Sequence, residues 1–308
     1  MQAALLAAQE WVGATAPNPP VGCALLDQEG HIITVAAHHG AGQLHAEALA
    51  IKQARDEGRL SEIAAVVVTL EPCNHHGRTP PCTEAILATP AQMVVFAQPD
   101  PNPKVAGQGA ERLRSAGLIV KEFRANAETA RLIAPFKKQV TQGLPWVTVK
   151  QAINLSGNML PPPSRKTFTS PQSLLLAHQL RKRADAILTG SGTILADAPL
   201  FTIRHVPDFV GKRRRLIVLD RRERLPDVYV NEAKSRGFDV VRETTLEQAL
   251  RHAAAAGCLE VLVEAGPEVT AHVLASPFWD EHVRIMQTTQ GDKVEVIYNR
   301  SENVFGNH

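Results

Sequence analysis

Apolar positions along this chain switch repeatedly between two rhythms. Residues 2–12 (QAALLAAQEWV) space their apolar side chains as an amphipathic helix does. After the loop TAPNPPVG, residues 21–26 read as a strand, joined by a hairpin to 31–37. A helix is expected over about 45–58. The run AAVVVTL (64–70) is short and rich in β-branched residues, which predicts a buried strand. Cys82 then opens a helix (CTEAILAT). A strand at 92–98, the loop PDPNPKVAGQG, a helix at 109–116 and a strand near 118–123 follow. This βα alternation predicts an α/β sandwich.

The segment FKKQVTQGLP (136–145) is expected to be a linker. Beyond it the pattern restarts with the strand PWVTVKQAI and a helix over 171–183. Strands AILTG, RRLIVLD, FDVV and EVLVEAG come next, with helices near 245–256 and 267–275. No internal repeat or low-complexity tract interrupts this order. Two domains are therefore expected, 1–143 and 144–308. The length agrees, since 308 residues at roughly 150 per domain make about two.

Composition narrows the function classes. The chain is 44% hydrophobic and 21% charged, ordinary values for a soluble globular protein. Its 33 basic and 31 acidic residues leave a net charge of +2, which argues against a nucleic-acid or membrane surface as partner. The basic run GKRRRLIVLDRRER (211–224) is interrupted by an apolar strand and carries no interleaved aromatics. No apolar run approaches the roughly 20 residues of a spanning helix. The N-terminus lacks the basic region of a signal peptide, so a cytoplasmic location is expected. Four cysteines do not make a disulfide framework. Cys23 and Cys258 sit in apolar, strand-like surroundings and read as core thiols.

The other two cysteines lie in LEPCNHHGRTPPC (70–82), and the helix start HAEALAI (45–51) completes them. His45, Cys73 and Cys82 would give zinc three ligands and leave one tetrahedral position for water. Zinc lowers the pKa of such a water towards neutrality. Glu47, two residues after His45, is then placed to shuttle protons rather than bind metal. H-x-E followed by P-C…C is the arrangement of zinc nucleobase deaminases, here with an eight-residue gap between the cysteines. Alternatives stay open at this point. His75 or His76 could complete a closed structural zinc site, or the two thiols could be unrelated. A disulfide is disfavoured in a reducing compartment.

At these residues the sequence resembles the bifunctional riboflavin-biosynthesis deaminase–reductases. The matching pieces are PNPPVGC (17–23), HAEALA (45–50), TLEPCNHHGRTPPC (69–82) and PDPNPKVAGQGAERLRSAG (99–117). The resemblance implies a cytidine-deaminase-like α/β/α sandwich, followed by a dihydrofolate-reductase-like α/β domain. It implies zinc and NADPH as cofactors and a small phosphoribosyl pyrimidine as substrate. That substrate, 2,5-diamino-6-(5-phosphoribosylamino)pyrimidin-4-one, would be deaminated, and its ribosyl group then reduced to ribityl. Asn18 would hydrogen-bond the base, and His76, Arg78 and Lys104 would lie near its polar and phosphate groups. A homo-oligomer is implied as well.

In the second half the resemblance rests on LRKRADAILTGSGTILADAPLFTIR (180–204) and LVEAGPEV (262–269). It implies that Thr193, Asp197 and Gly266 contact NADPH. Arg181, Phe201, Arg204 and Glu264 would lie on the substrate side. Lys150 is kept, but the segment after it departs from the family pattern. Ser156 stands where an Asp is expected, Arg165 replaces a Ser, and Thr167 replaces a Trp. The tail from about 282 matches loosely and ends somewhat early. A monofunctional deaminase with a degenerate or shortened reductase-like half therefore stands as the alternative. A deaminase acting on RNA or DNA and a non-catalytic zinc-stabilised binding module are further rivals.

Overall fold

The computed structural model describes residues 1–299 except 76–79, 104, 125 and 162–166. It divides into two compact units, Met1–Gln142 and a second from Gly143 onward.

The first unit runs α1 (Gln2–Glu10), β1 (Gly22–Leu26), β2 (Ile32–Ala37), α2 (Ala46–Asp56) and β3 (Ala65–Val68). It continues with α3 (Cys82–Leu87), β4 (Met93–Phe96), α4 (Gln108–Ser115), β5 (Ile119–Glu122) and α5 (Ala127–Gln142). Its sheet has the order β2-β1-β3-β4-β5. β1 runs antiparallel to both neighbours, and β3, β4 and β5 are parallel. The period-2 alternation of a strand sorts the side chains between two helical layers. Cys23, Leu25, Val66 and Val68 pack with Ala50, Ile51 and Ala54 of α2 and Leu113 of α4. Their neighbours Ala24 and Val67 pack with Ala4 of α1 on the other face. The result is an α/β/α sandwich.

Residues 136–142 are not a linker but the last turns of α5. The missing N–H of Pro135 argues for a break. The helix continues because Leu132 and Ile133 are buried against Leu5, Ala8 and Leu70, with Phe136 packed alongside. Gly107 and Gly109, whose spacing only loosely suggests a nucleotide fingerprint, have structural roles: Gly107 takes a left-handed φ of 78° before α4, and Gly109 is a packing contact. A Cβ on Gly109 would stand 1.9 Å from the Pro72 carbonyl oxygen, so α4 can press against the cysteine-bearing loop only through glycine. The buried Glu71 carboxylate accepts backbone N–H groups from Gly107 and Ala110 at 3.0 Å each, which fastens the same contact.

The second unit runs β6 (Trp146–Ile153), α6 (Pro171–Arg183), β7 (Ala186–Gly190), α7 (Ser191–Asp197), β8 (Arg214–Leu219) and α8 (Asp227–Ser235). Then come β9 (Phe238–Glu243), α9 (Leu246–Ala255), β10 (Glu260–Val263), α10 (Pro267–Leu274), β11 (Glu281–Thr288) and β12 (Gly291–Tyr298). The sheet order is β12-β11-β6-β10-β7-β8-β9, parallel except for the β11–β12 hairpin. Val147, Val149, Ala186 and Leu188 meet α9, while Ile187, Leu216 and Val218 meet α7 and α8. A mainly parallel sheet covered on both faces follows from these continuous apolar strands.

Two cations of the basic run at 211–224, Arg214 and Lys212, are internal wiring. The Arg214 guanidinium donates to the carbonyls of Arg181, Lys182 and Ala184, closing the C-terminus of α6, and pairs with Asp208 at 2.7 Å. Lys212 pairs with Asp185 and Arg213 with Asp239. Among the described residues, no helix is long and apolar enough to cross a membrane.

Candidate active sites

The parallel strand β3 delivers Thr69–Cys73 to its C-terminal end, and α2 begins beside it. His45 is the residue before α2, extended at φ −66° and ψ 158°, so its imidazole projects from the helix start. Cys82 opens α3, and its backbone N–H lies 3.4 Å from the Cys73 sulfur. His45 Nδ1 stands 3.5 Å from Cys73 Sγ and 3.3 Å from Cys82 Sγ. Bonds of about 2.3 and 2.0 Å at a tetrahedral angle put sulfur and nitrogen about 3.5 Å apart, so this donor set fits zinc. Among the described residues, no fourth His, Cys, Asp or Glu joins the cluster, which leaves one position open. His76 lies outside the described residues.

The electrostatics suit a dication. Hydrogen bonding with Cys82, and then with His45, holds the Cys73 thiol down to about 4, although burial opposes this. Cys82 is pushed the other way by Cys73 and by burial, because two adjacent thiolates repel. A cation between the sulfurs removes that conflict. Glu47 sits in the first turn of α2, 3% exposed. Burial foremost, and then the Cys73 charge, raises its carboxyl to about 7. It is therefore poised to hold or release a proton near neutrality.

His45, Glu47 and Cys73 line a cavity of about 550 Å³ with Asn18, His38, His75 and Asp100. His38 Nδ1 lies 3.0 Å from the Leu44 carbonyl, which can only accept, so Nδ1 carries the proton. Nε2 must then accept from Asn18 Nδ2, 3.0 Å away. This fixes the Asn18 amide and leaves its Oδ1 free of that contact, ready to accept from a ligand. Sequence reasoning missed His38 and Asp100. Asp100 stands inside the quoted PDPNP loop, and His38 closes the β2 strand. Only their position in space marks them. Arg78 and Lys104, like His76, lie outside the described residues.

In the second unit the structure gathers Arg181, Phe201, Arg204 and Glu264 with Lys150. Glu264 follows β10 and is 5% exposed. Its carboxylate bonds Lys150 Nζ at 2.9 Å and Arg181 at 2.5 and 3.1 Å. Burial alone would raise its pKa, but Lys150 and Arg181 outweigh burial and hold it at about 2. A third donor of Arg181 bonds the Thr202 carbonyl, so most of this guanidinium is engaged within the protein. Thr193 Oγ1 accepts the Gly266 N–H at 2.8 Å and ties the starts of α7 and α10 together. A Cβ on Gly192 would meet nothing closer than Arg224 at 4.0 Å, which leaves open backbone for a cofactor phosphate. Asp197 ends α7, exposed.

Comparison with known proteins decides the family. Residues 1–98 match the cytidine and deoxycytidylate deaminase zinc-binding region, and residues 145–288 match the RibD C-terminal domain. The riboflavin biosynthesis protein RibD of Aquifex aeolicus is 34% identical, covering 92% of this chain and 84% of its own. The chain belongs to the RibD family. Its RibD relative from Mycobacterium tuberculosis is 36% identical over 85% of this chain and 76% of that protein. A solved Thermotoga maritima structure, a diaminohydroxyphosphoribosylaminopyrimidine deaminase/5-amino-6-(5-phosphoribosylamino)uracil reductase, matches with a TM-score of 0.81. It is 30% identical, over 94% of this chain and 86% of that one. Acinetobacter baumannii RibD matches with a TM-score of 0.79. The chain is thus an enzyme of riboflavin biosynthesis with a zinc deaminase half and an NADPH reductase half.

Of the departures noted in the sequence, Ser156 and Thr167 take no part in the bonds that join Lys150, Glu264 and Arg181. Ser156 is exposed, and its N–H caps onto Asn154 Oδ1 at 2.9 Å within a tight turn. Thr167 is exposed and bonded to Thr169, while Arg165 lies outside the described residues. The Glu264 cluster is a direct test of the fold's wiring. Glu264→Gln is expected to destabilise the second unit by about 3 kcal/mol, because it leaves two cations without their anion. Its pH signature has a definite sign. The folded pKa of about 2 lies below the ordinary 4.5, so the carboxylate stabilises above pH 4.5 and that contribution fades as pH falls towards 2. Urea unfolding of both proteins across that window should show the wild-type slope and its absence in the variant.

Proposed function

We propose that the first unit deaminates 2,5-diamino-6-(5-phosphoribosylamino)pyrimidin-4-one. The second unit then reduces the ribosyl group of 5-amino-6-(5-phosphoribosylamino)uracil to ribityl with NADPH. The observation that carries the first half is His45, Cys73 and Cys82 converging beside a buried Glu47, with His45, Cys73 and Glu47 lining one cavity. Zinc held by these three residues would lower the pKa of a bound water towards neutrality. Glu47 takes a proton from the attacking water. It passes that proton to the ring nitrogen, then takes the proton of the new hydroxyl on the ring carbon and hands it to the departing ammonia as the C–N bond breaks. Asn18 Oδ1 accepts from a donor on the base and sets its orientation. Leu70, Val21 and Phe136 line the wall and keep bulk water from the reacting carbon.

In the second half NADPH supplies the hydride, and Thr193, Gly266 and Asp197 would hold it. Glu264 stays ionised at neutral pH and cannot give a proton. Lys150, its partner at 2.9 Å, is the hydrogen-bond donor that would meet the substrate. Arg204 is exposed, with one guanidinium nitrogen on Thr202 Oγ1, and would meet the substrate phosphate with its remaining donors. The reading extends to a homo-oligomer in the cytoplasm. β12 is a sheet edge with Val294, Val296 and Tyr298 exposed, which a second copy could cover. All four cysteines are free thiols, which suits a reducing compartment. To test the reductase half, the aminouracil substrate is given directly to the protein with NADPH or NADH. Oxidation of NADPH with appearance of the ribityl product supports the reading, and no turnover of this substrate with either nucleotide contradicts it.

A further inference from the structure

His178 lies on the inward face of α6, 0% exposed. Leucine, of similar size, would fill such a position without a polar group to satisfy. The histidine instead uses one nitrogen and strands the other. Its Nδ1 accepts the backbone N–H of Arg204 at 2.9 Å, so Nδ1 carries no proton. The proton is then on Nε2, which is buried without a hydrogen-bond partner among the described residues. The His205 ring stands across it at 81°, with centroids 4.5 Å apart. Burial foremost, then the charges of Arg181, His205 and Arg204, hold the imidazole at about 4, so it stays a neutral acceptor at working pH. A buried polar group kept with an orphaned N–H needs a reason beyond packing.

The reason lies in the strap it holds. Residues 201–205 leave the core at Phe201, whose ring is buried and whose φ of 55° is left-handed. A non-glycine residue keeps such a backbone only where its surroundings over-determine it. α6 reaches the strap twice, through Arg181 to the Thr202 carbonyl at 3.0 Å and through His178 to the Arg204 N–H. The Arg204 guanidinium then folds back onto Thr202 Oγ1 at 3.0 Å. We propose that His178 is a positioning residue of the reductase site, fixing the 201–205 strap so that Arg204 meets the phosphate of the substrate. This rests on the reading that Arg204 contacts that phosphate.

The test compares His178→Leu, His178→Asn and Arg204→Gln in the full-length, zinc-loaded protein. Steady-state kinetics with 5-amino-6-(5-phosphoribosylamino)uracil, NADPH binding by fluorescence, thermal unfolding and deaminase rate are measured for each. His178→Leu is expected to raise KM about tenfold with kcat within about twofold, the pattern of lost binding rather than lost chemistry. Its Tm should change little, since loss of the orphaned Nε2–H is offset by the Arg204 N–H left without its acceptor. NADPH affinity and deaminase rate should not change. The side-chain carbonyl of His178→Asn can accept in place of Nδ1 and should recover most of the KM. Arg204→Gln should raise KM at least as far. A lowered Tm with unchanged KM in His178→Leu would make the residue merely structural and overturn the proposal. If Arg204→Gln raises KM while His178→Leu does not, positioning fails and the phosphate reading survives. If Arg204→Gln leaves KM unmoved, both fail.

Discussion

Glu47→Gln is expected to lower deaminase turnover by about a thousandfold or more, the upper range for losing a proton shuttle that serves more than one transfer. Glutamine keeps the shape and fills the same buried place in the first turn of α2. It cannot take a proton from water or hand one to ammonia. Zinc content should not fall, because Glu47 is not among the clustered donor atoms. Stability should hold or rise, since burial already disfavours the charged carboxylate at this position. The second unit has its own core, so NADPH oxidation with the aminouracil substrate should continue at the wild-type rate. Ammonia release, metal analysis and NADPH absorbance on one preparation check all three. A variant that keeps its deaminase rate would remove Glu47 from the chemistry and revive a non-catalytic zinc module.

Cys73→Ala is the second large effect. Cys73 is the sulfur that His45 and the Cys82 N–H both approach, and the more readily ionised of the two thiols. Two remaining ligands hold zinc weakly, and the expected loss of affinity is about a thousandfold or more. Zinc recovered after dialysis against a mild chelator should fall from one per chain to near none. Deaminase activity should vanish with it. The first unit should nevertheless stay folded, because its core of β1, β3, β4 and the inner faces of α2 and α4 contains none of the three ligands. Circular dichroism separates this result from collapse of the domain. Full zinc retention in Cys73→Ala would contradict the ligand assignment.

What the sequence made legible is what local chemistry dictates. A run such as AAVVVTL has little choice but a buried strand, and the chain indeed places β3 there. The three zinc donors and Glu47 were readable because few other chemistries want that set in that order. Asn18 was readable only through resemblance, since its meaning comes from His38, twenty residues away in sequence and 3.0 Å away in space. α5 was hidden by Pro135, whose cost is outweighed by tertiary burial that no local pattern reveals. α7 has seven residues and the β11–β12 hairpin alternates weakly, so neither announces itself. His178 reads as an ordinary helix residue until the strap it carries is seen. The departures at Ser156 and Thr167 raised the prospect of a lapsed reductase, but the Lys150–Glu264–Arg181 cluster is intact without them.

The most direct test of the whole account is one time course. Purified, zinc-loaded protein receives the diaminopyrimidine phosphoribosyl substrate, and ammonia and NADPH are followed together. Without NADPH, ammonia should be released and the aminouracil should accumulate. With NADPH, oxidation should begin after a lag, while that intermediate builds up, and end at one NADPH per ammonia. NADPH oxidation without a lag and without ammonia, or no ammonia under either condition, would contradict it.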